Sequence, residues 1–301
     1  MNKLPGEIIA SSYRFLFGQI GTVLVITWLP AVLYAGADYA AHVYLAAHRA
    51  ELEAGDLRAQ GLYGVVAAAA FLVAIFARSA AAVGITREIF GWRVQGPIHF
   101  PVDRTALRMF LAALRFWIGS AALVGLAFGI AVLGLLLAGV PADASGQLPL
   151  TPAALLAMFI AWAALLYAFA TMLRMGFLLP AIVVVEEKGG LKRSHDLTKG
   201  NFWRILVVVI ALVLPTLVLL IAGETAVLGA TLAPDAAERG DLFRLMEGAE
   251  AAIDRQLVPW EIFNAVVFVL YSGLTYSGAA NAYRALTGKV AAREADRLQN
   301  P

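Results

Sequence analysis

Residues 174–204 read RMGFLLPAIVVVEEKGGLKRSHDLTKGNFWR, and how this stretch is read decides the fold. It leaves one long apolar segment at Arg174, turns through a basic, amphipathic piece, and enters another apolar segment through Phe202-Trp203. The same pattern recurs on both sides of it. Arg14-Phe15 and Arg115-Phe116-Trp117 open earlier apolar runs, while Arg78, Arg174 and Arg284 stand where returning runs meet basic sequence. Aromatic belts and positive-inside charge impose such anchors on any row of membrane hairpins.

Composition agrees. Hydrophobic residues make up 61% of the chain and charged residues 15%, with a mean hydropathy of +0.77, outside the range of soluble globular domains. About 20 apolar residues cross the roughly 30 Å hydrocarbon core. Six runs meet that length, at approximately 15–36, 62–85, 114–139, 153–173, 205–224 and 260–282. The first is too long for a signal h-region and its leader carries Glu7, so it reads as a retained span. The expectation is an all-α, polytopic six-helix transmembrane bundle of three hairpins with amphipathic interfacial segments. It forms a single integral membrane domain over residues 1–301, with no room for a separate soluble enzyme.

Charge gives the orientation. With the N-terminus inside, 18 of the 23 Lys and Arg residues fall on the cytoplasmic side. The outer five are Arg49, Arg58, Arg239, Arg244 and Arg255. The positive-inside rule therefore favours a multi-pass protein of the cell inner membrane with both termini cytoplasmic. Residues 235–258 read as an outer amphipathic helix, with Leu242, Leu245, Met246, Ala249, Ile253 and Leu257 on one face. The short apolar run Phe177–Val185 is expected to bend along the interface at Pro180 or to prolong the fourth span.

Helices in lipid associate through small residues and interhelical hydrogen bonds. Ala67, Ala70, Ala74, Ala77, Ala81 and Gly84 mark one face of the second span. Ala121, Gly125 and Gly129 mark the third, and Ala157, Ala161, Ala164 and Ala168 the fourth. These faces are expected to turn inward and pack spans two, three and four together. The sixth span is the most polar. Asn264, Tyr271, Thr275 and Asn281 cannot be satisfied by lipid, so they are assigned to a polar bundle interior, either as interhelical contacts or as a path.

Signs of chemistry are sparse. No cysteine occurs, which removes disulfides, thiolate metal sites and cysteine nucleophiles. His42 and His48 lie six apart, not at the spacing that aligns two ligands on a helix. No HExxH, GxSxG or phosphate-loop motif occurs. Glu224 and Glu261 fall near the outer boundary, and no acidic residue sits at mid-membrane depth, which argues against an ion-coupled transporter. No catalytic, cofactor or metal residue is assigned, and no nucleic-acid partner is expected.

The informative surface is cytoplasmic. Lys188, Lys192, Arg193, Lys199 and Arg204 alternate with Leu191, Leu197, Phe202 and Trp203. Leu191–Lys199 is expected to form a short helix that Gly200 ends, with Asn201 capping the fifth span. Each basic side chain contributes about 1 kcal/mol of attraction to anionic headgroups. Membrane phospholipid is thus the expected partner, with a protein partner as the other reading.

The run Arg174…Pro180-Ala181-Ile182-Val183-Val184, then Arg193-Ser194-x-x-Leu197-Thr198-x-Gly200-x-Phe202-Trp203-Arg204, resembles the signature of a known membrane domain. That domain occurs in some bacterial glycerophosphodiester phosphodiesterases and in stand-alone multi-span proteins. His195-Asp196 departs from the tryptophan-containing pair that members often carry. The resemblance implies a membrane fold and an association with phospholipid or a lipid-acting partner. The phosphodiesterase activity belongs to a soluble domain that has no counterpart here, so catalysis does not carry over. The resulting expectation is a non-enzymatic, lipid-associated or scaffolding membrane protein. The alternative is a transporter or channel for a small molecule or lipid, with a polar path along span six.

Overall fold

The computed structural model describes residues 5–92, 100–137, 151–229 and 256–288. Ten helices occur among them, and no strand. They are α1 (Pro5–Gly18), α2 (Ile20–Ala47), α3 (Arg49–Glu53), α4 (Leu57–Ile89), α5 (Arg104–Leu137), α6 (Pro152–Gly176), α7 (Leu179–Glu186), α8 (Leu191–Thr198), α9 (Phe202–Gly229) and α10 (Leu257–Thr287). Six of them are long and apolar enough to cross a membrane, with α6 and α7 counted as one run. This is the all-α bundle of an integral membrane protein. Its three hairpins are α2–α4, α5–α6 and α9–α10, the two helices of each packed against one another. Residues 235–255 of the outer amphipathic segment lie outside the described residues.

Local sequence sets the helix ends. Asp56 accepts the Arg58 N–H at 2.9 Å to start α4, and Thr151 accepts the Ala154 N–H at 3.2 Å to start α6, with Pro152 in its first turn. Asp103 accepts the N–H groups of Thr105 and Ala106 to start α5. Gly200, at φ +82°, ends the α8 turn, and the Asn201 carbonyl accepts the first α9 bond from Ile205 N–H. Only glycine takes that backbone conformation without strain.

The described chain ends lie together. Pro5, Ile8, Arg204, Ile205, Ala282 and Leu286 line one small crevice, so the start of α1, the start of α9 and the end of α10 share an end of the bundle. We call it the basic end, since Arg204, Arg284 and the α7–α8 lysines gather there. The first apolar run is not one straight rod. It breaks at Gln19, between Gly18 and Gly21, where glycine's low helix propensity makes a bend cheap. The lead before it packs into the bundle. Ile8, Ser12, Phe15 and Leu16 of α1 are buried against α10 and α9.

The densest packing lies at the basic end. Leu179 through Val184 of α7 are all buried, and Ala80 through Ile85 of α4 are sealed beside them. The short apolar run therefore does not bend along an interface; it continues the apolar run of α6, but not as a straight extension. A turn at Phe177 and Leu178 sends it inward as a plug against α4, α5 and α10. The polar span α10 is central, packed against α1, α2, α4, α7 and α9.

The small-residue faces resolve unevenly. The α4 face turns toward α2, where a Cβ at Gly84 would come within 2.5 Å of Ile26 Cγ2. The α6 face, with Ala157 and Ala168 buried, meets α5 as expected. The α5 face does not. Ala121, Gly125 and Gly129 are exposed, and α5 instead presents Ser120, Ala127 and Gly134, the last with its Cβ position 3.2 Å from Ala157. Two small-residue stripes run down α5, and the alanines of α6 select the second. Spans two and four meet mainly through span three rather than each other.

Candidate functional site

Arg78 is the residue the sequence misplaces. It stands about 16 Å of helical rise before the end of α4 at Ile89, not at the boundary. Its side chain reaches into the bundle level with Tyr271 and Tyr276, near the middle of α10. The guanidinium donates to the Tyr34 hydroxyl at 3.3 Å and lies 5.1 Å from the Tyr34 ring centroid. Among the described residues no carboxylate is in ion-pair contact with it. An arginine inside a membrane bundle faces protein or a cavity, because a lone cation in hydrocarbon costs several kcal/mol.

Two cavities meet at this residue. One, of about 340 Å³, lies between α2, α4 and α5 and is lined by Asp38, Ala67, Ala70, Ala74 and Trp117 together with Tyr34 and Arg78. The other, of about 250 Å³, lies between α2, α9 and α10 and is lined by Thr216, Asn264, Phe268 and Tyr271, again with Tyr34 and Arg78. Both walls are mostly apolar, and Tyr34 and Arg78 are common to the two. Neither lining passes the sealed layer of α4 and α7 at the basic end.

The expected polar interior divides over this site. Asn264 and Tyr271 line the smaller cavity. Thr275 Oγ1 is buried one turn on without a hydrogen-bond partner, as is Ser272 Oγ. Asn281 lies lower on α10, half-buried between sealed Ala280 and Ala282, and belongs to neither cavity.

At the other end of the cavities Asp38, His42 and Glu261 come together, with ligand atoms within 4.8 Å of one another. His42 Nδ1 is 3.6 Å from Glu261 Oε1. The search for histidine pairs passed over this group. The readable signal was Asp38 four residues before His42, which puts both on one face of α2. Glu261 arrives only through tertiary packing.

At the basic end the stretch that opened the reading folds into one knot. Ser194 Oγ donates to the Arg174 carbonyl at 2.7 Å, and Thr198 Oγ1 donates to the His195 carbonyl at 2.9 Å while facing the same Arg174 oxygen. The Arg174 guanidinium lies 4.8 Å from the Phe202 ring centroid. These contacts hold the turn between α6 and α9 in shape. Lys188, Lys192, Lys199 and Arg204 are exposed around the knot, while Arg193 donates to Glu186 at 3.3 Å. Glu186 also accepts the Tyr283 hydroxyl at 2.8 Å.

No family model, curated protein or solved structure matches this chain.

Proposed function

We propose that the protein is a non-enzymatic, lipid-associated membrane protein that receives the anionic head of an amphiphile in the clefts around Arg78. The carrying observation is an intramembrane guanidinium that, among the described residues, is held by a tyrosine hydroxyl alone and faces two cavities. A phosphate or carboxylate oxygen is the group that completes its charge, since the planar guanidinium fork matches both. The cavities lie near the lower end of small-ligand sites, which run to about 300–1,000 Å³, so they fit a head and the first part of a chain rather than a whole lipid.

The exposed lysines at 188–199 and Arg204 support the same reading from the basic end, where they would gather anionic headgroups. With that end cytoplasmic, as the charge bias favours, the membrane is the cell inner membrane. The resemblance to the membrane domain of glycerophosphodiester phosphodiesterases agrees with a lipid partner. The second reading, transport along α10, draws on Asn264, Tyr271 and buried Thr275. It needs the α4–α7 layer to open, because that layer is packed without a gap between the cavities and the basic end.

Arg78→Met tests the proposal in protein extracted into native nanodiscs without detergent. Wild type should hold an anionic amphiphile enriched over bulk membrane, and the variant should retain about 10- to 100-fold less, the loss of a charge-assisted contact. Mass spectrometry of the retained lipid separates a phosphate head from a fatty-acid carboxylate. Thermal stability should not fall, because apolar replacement of a buried charge is commonly neutral or stabilising. Identical lipid profiles from the two proteins would rule the proposal out.

A further inference from the structure

Glu261 is a carboxylate with no visible reason to be where it is. Its side chain is 8% exposed, and both oxygens are shielded from solvent with no hydrogen-bond partner among the described residues. Asn264, one turn on, is close enough to polarise it but forms no bond of proper geometry. The ionic neighbour it has is His42, itself partly exposed. Burying a charge on such terms costs several kcal/mol unless something supplies the missing partner.

We propose that Asp38, His42 and Glu261 bind a divalent transition-metal ion at the end of the bundle opposite the basic end. One imidazole and two carboxylates are the donor set of zinc or manganese. They are too nitrogen-rich for calcium or magnesium and too hard for copper(I). His42 Nδ1 lies 3.1 Å from the Asp38 carbonyl. The same nitrogen faces Glu261 Oε1 at 3.6 Å, so the metal takes the Nδ1 lone pair, in the tautomer that carries the ring proton on Nε2. Bonds of about 2.0–2.2 Å bring ligand atoms to roughly 3.4 Å from one another, so the loosest pair closes by a little over 1 Å. Asp38 is only partly buried and has the freedom to make that movement. Three protein ligands leave a position open, and Asp38 also lines the larger cavity, so the open position lies at its rim. The site stands on these residues alone and does not depend on the amphiphile at Arg78.

The test uses tag-free, full-length protein in nanodiscs, stripped with a chelator and titrated with Zn²⁺, then separately with Mn²⁺, against a chromophoric competitor. Wild type should take up one equivalent of at least one ion, with a raised unfolding temperature. Glu261→Gln and His42→Gln should each weaken that binding by about 100-fold or more, since removing even an outer partner costs 10- to 100-fold. Both should lose the thermal shift. His48→Gln, outside the group, should bind as wild type. Should Glu261→Gln fail to fold, His42→Gln at its partly exposed position decides the matter. Wild type without a stoichiometric equivalent of either ion, or His42→Gln binding as tightly as wild type, overturns the proposal.

Discussion

The two ends of α4 carry the same kind of residue and do opposite things. Toward the basic end, Ala77, Ala81 and Gly84 let α2 come close enough for Ile26 to fill the space a side chain would need. Toward the other end, Ala67, Ala70 and Ala74 face a cavity. Small residues bring membrane helices together only when the facing helix supplies something to fit against them. Tyr34 and Asp38 of α2 do not fill the gap, and Arg78 stands at the border between the two regimes. One half of the bundle is sealed, and the other is hollow.

Two leucines break or keep that distinction. Gly278→Leu drives a side chain into Leu212 in the sealed half. It should cost about 1–3 kcal/mol through overpacking, seen as a lowered unfolding temperature in nanodiscs. Ala70→Leu projects into the larger cavity and should leave stability unchanged or raise it by about 1 kcal/mol. Equal losses from both would mean the two halves are packed alike.

A smaller effect sharpens the edge of the seal. Ser194→Ala removes the hydroxyl that binds the Arg174 carbonyl, and should destabilise by about 1 kcal/mol without changing which lipid is retained at Arg78. Loss of lipid in this variant would join the knot to the clefts.

The smallest effect depends on pH. Partial burial alone would raise the Asp103 carboxyl. The Ala106 N–H, the Arg87 guanidinium and the Thr105 N–H outweigh it and hold the carboxyl below the usual carboxylate range. A group depressed on folding stabilises fully above its unfolded value, about 3.9, and that stability disappears as pH falls through the folded value. Asp103→Ala should therefore cost about 1 kcal/mol near neutral pH, and the gap to wild type should close in acid. A gap constant down to pH 2 would exclude the ionised cap.

How much of this was legible follows from the distance over which each signal acts. The six apolar runs and their pairing into hairpins are local and cumulative, so sequence shows them. Gly200 and Asn201 are equally local, and the α8–α9 turn forms as expected. Phe177–Val185 is too short for its period to separate a surface segment from a buried plug, and only the neighbours of α7 decide. Arg78 looked like an end marker because a basic residue near the last turns of a span usually is one. The α5 stripe was ambiguous, since Ala121-Gly125-Gly129 and Ser120-Ala127-Gly134 are equally small, and the choice rests with α6. The Asp38–His42–Glu261 group joins helices that the chain separates by most of its length, and no spacing rule reaches that far.

Glu186 has a mechanical consequence. Its Oε1 accepts from both Arg193 of α8 and Tyr283 of α10, so it works as a rivet between the basic surface and the central rod. A pull on α8 strains Tyr283, and the same rod carries Tyr271, Asn264 and Glu261 farther along. The basic surface and the residues that line the smaller cavity are thereby fastened to one and the same helix.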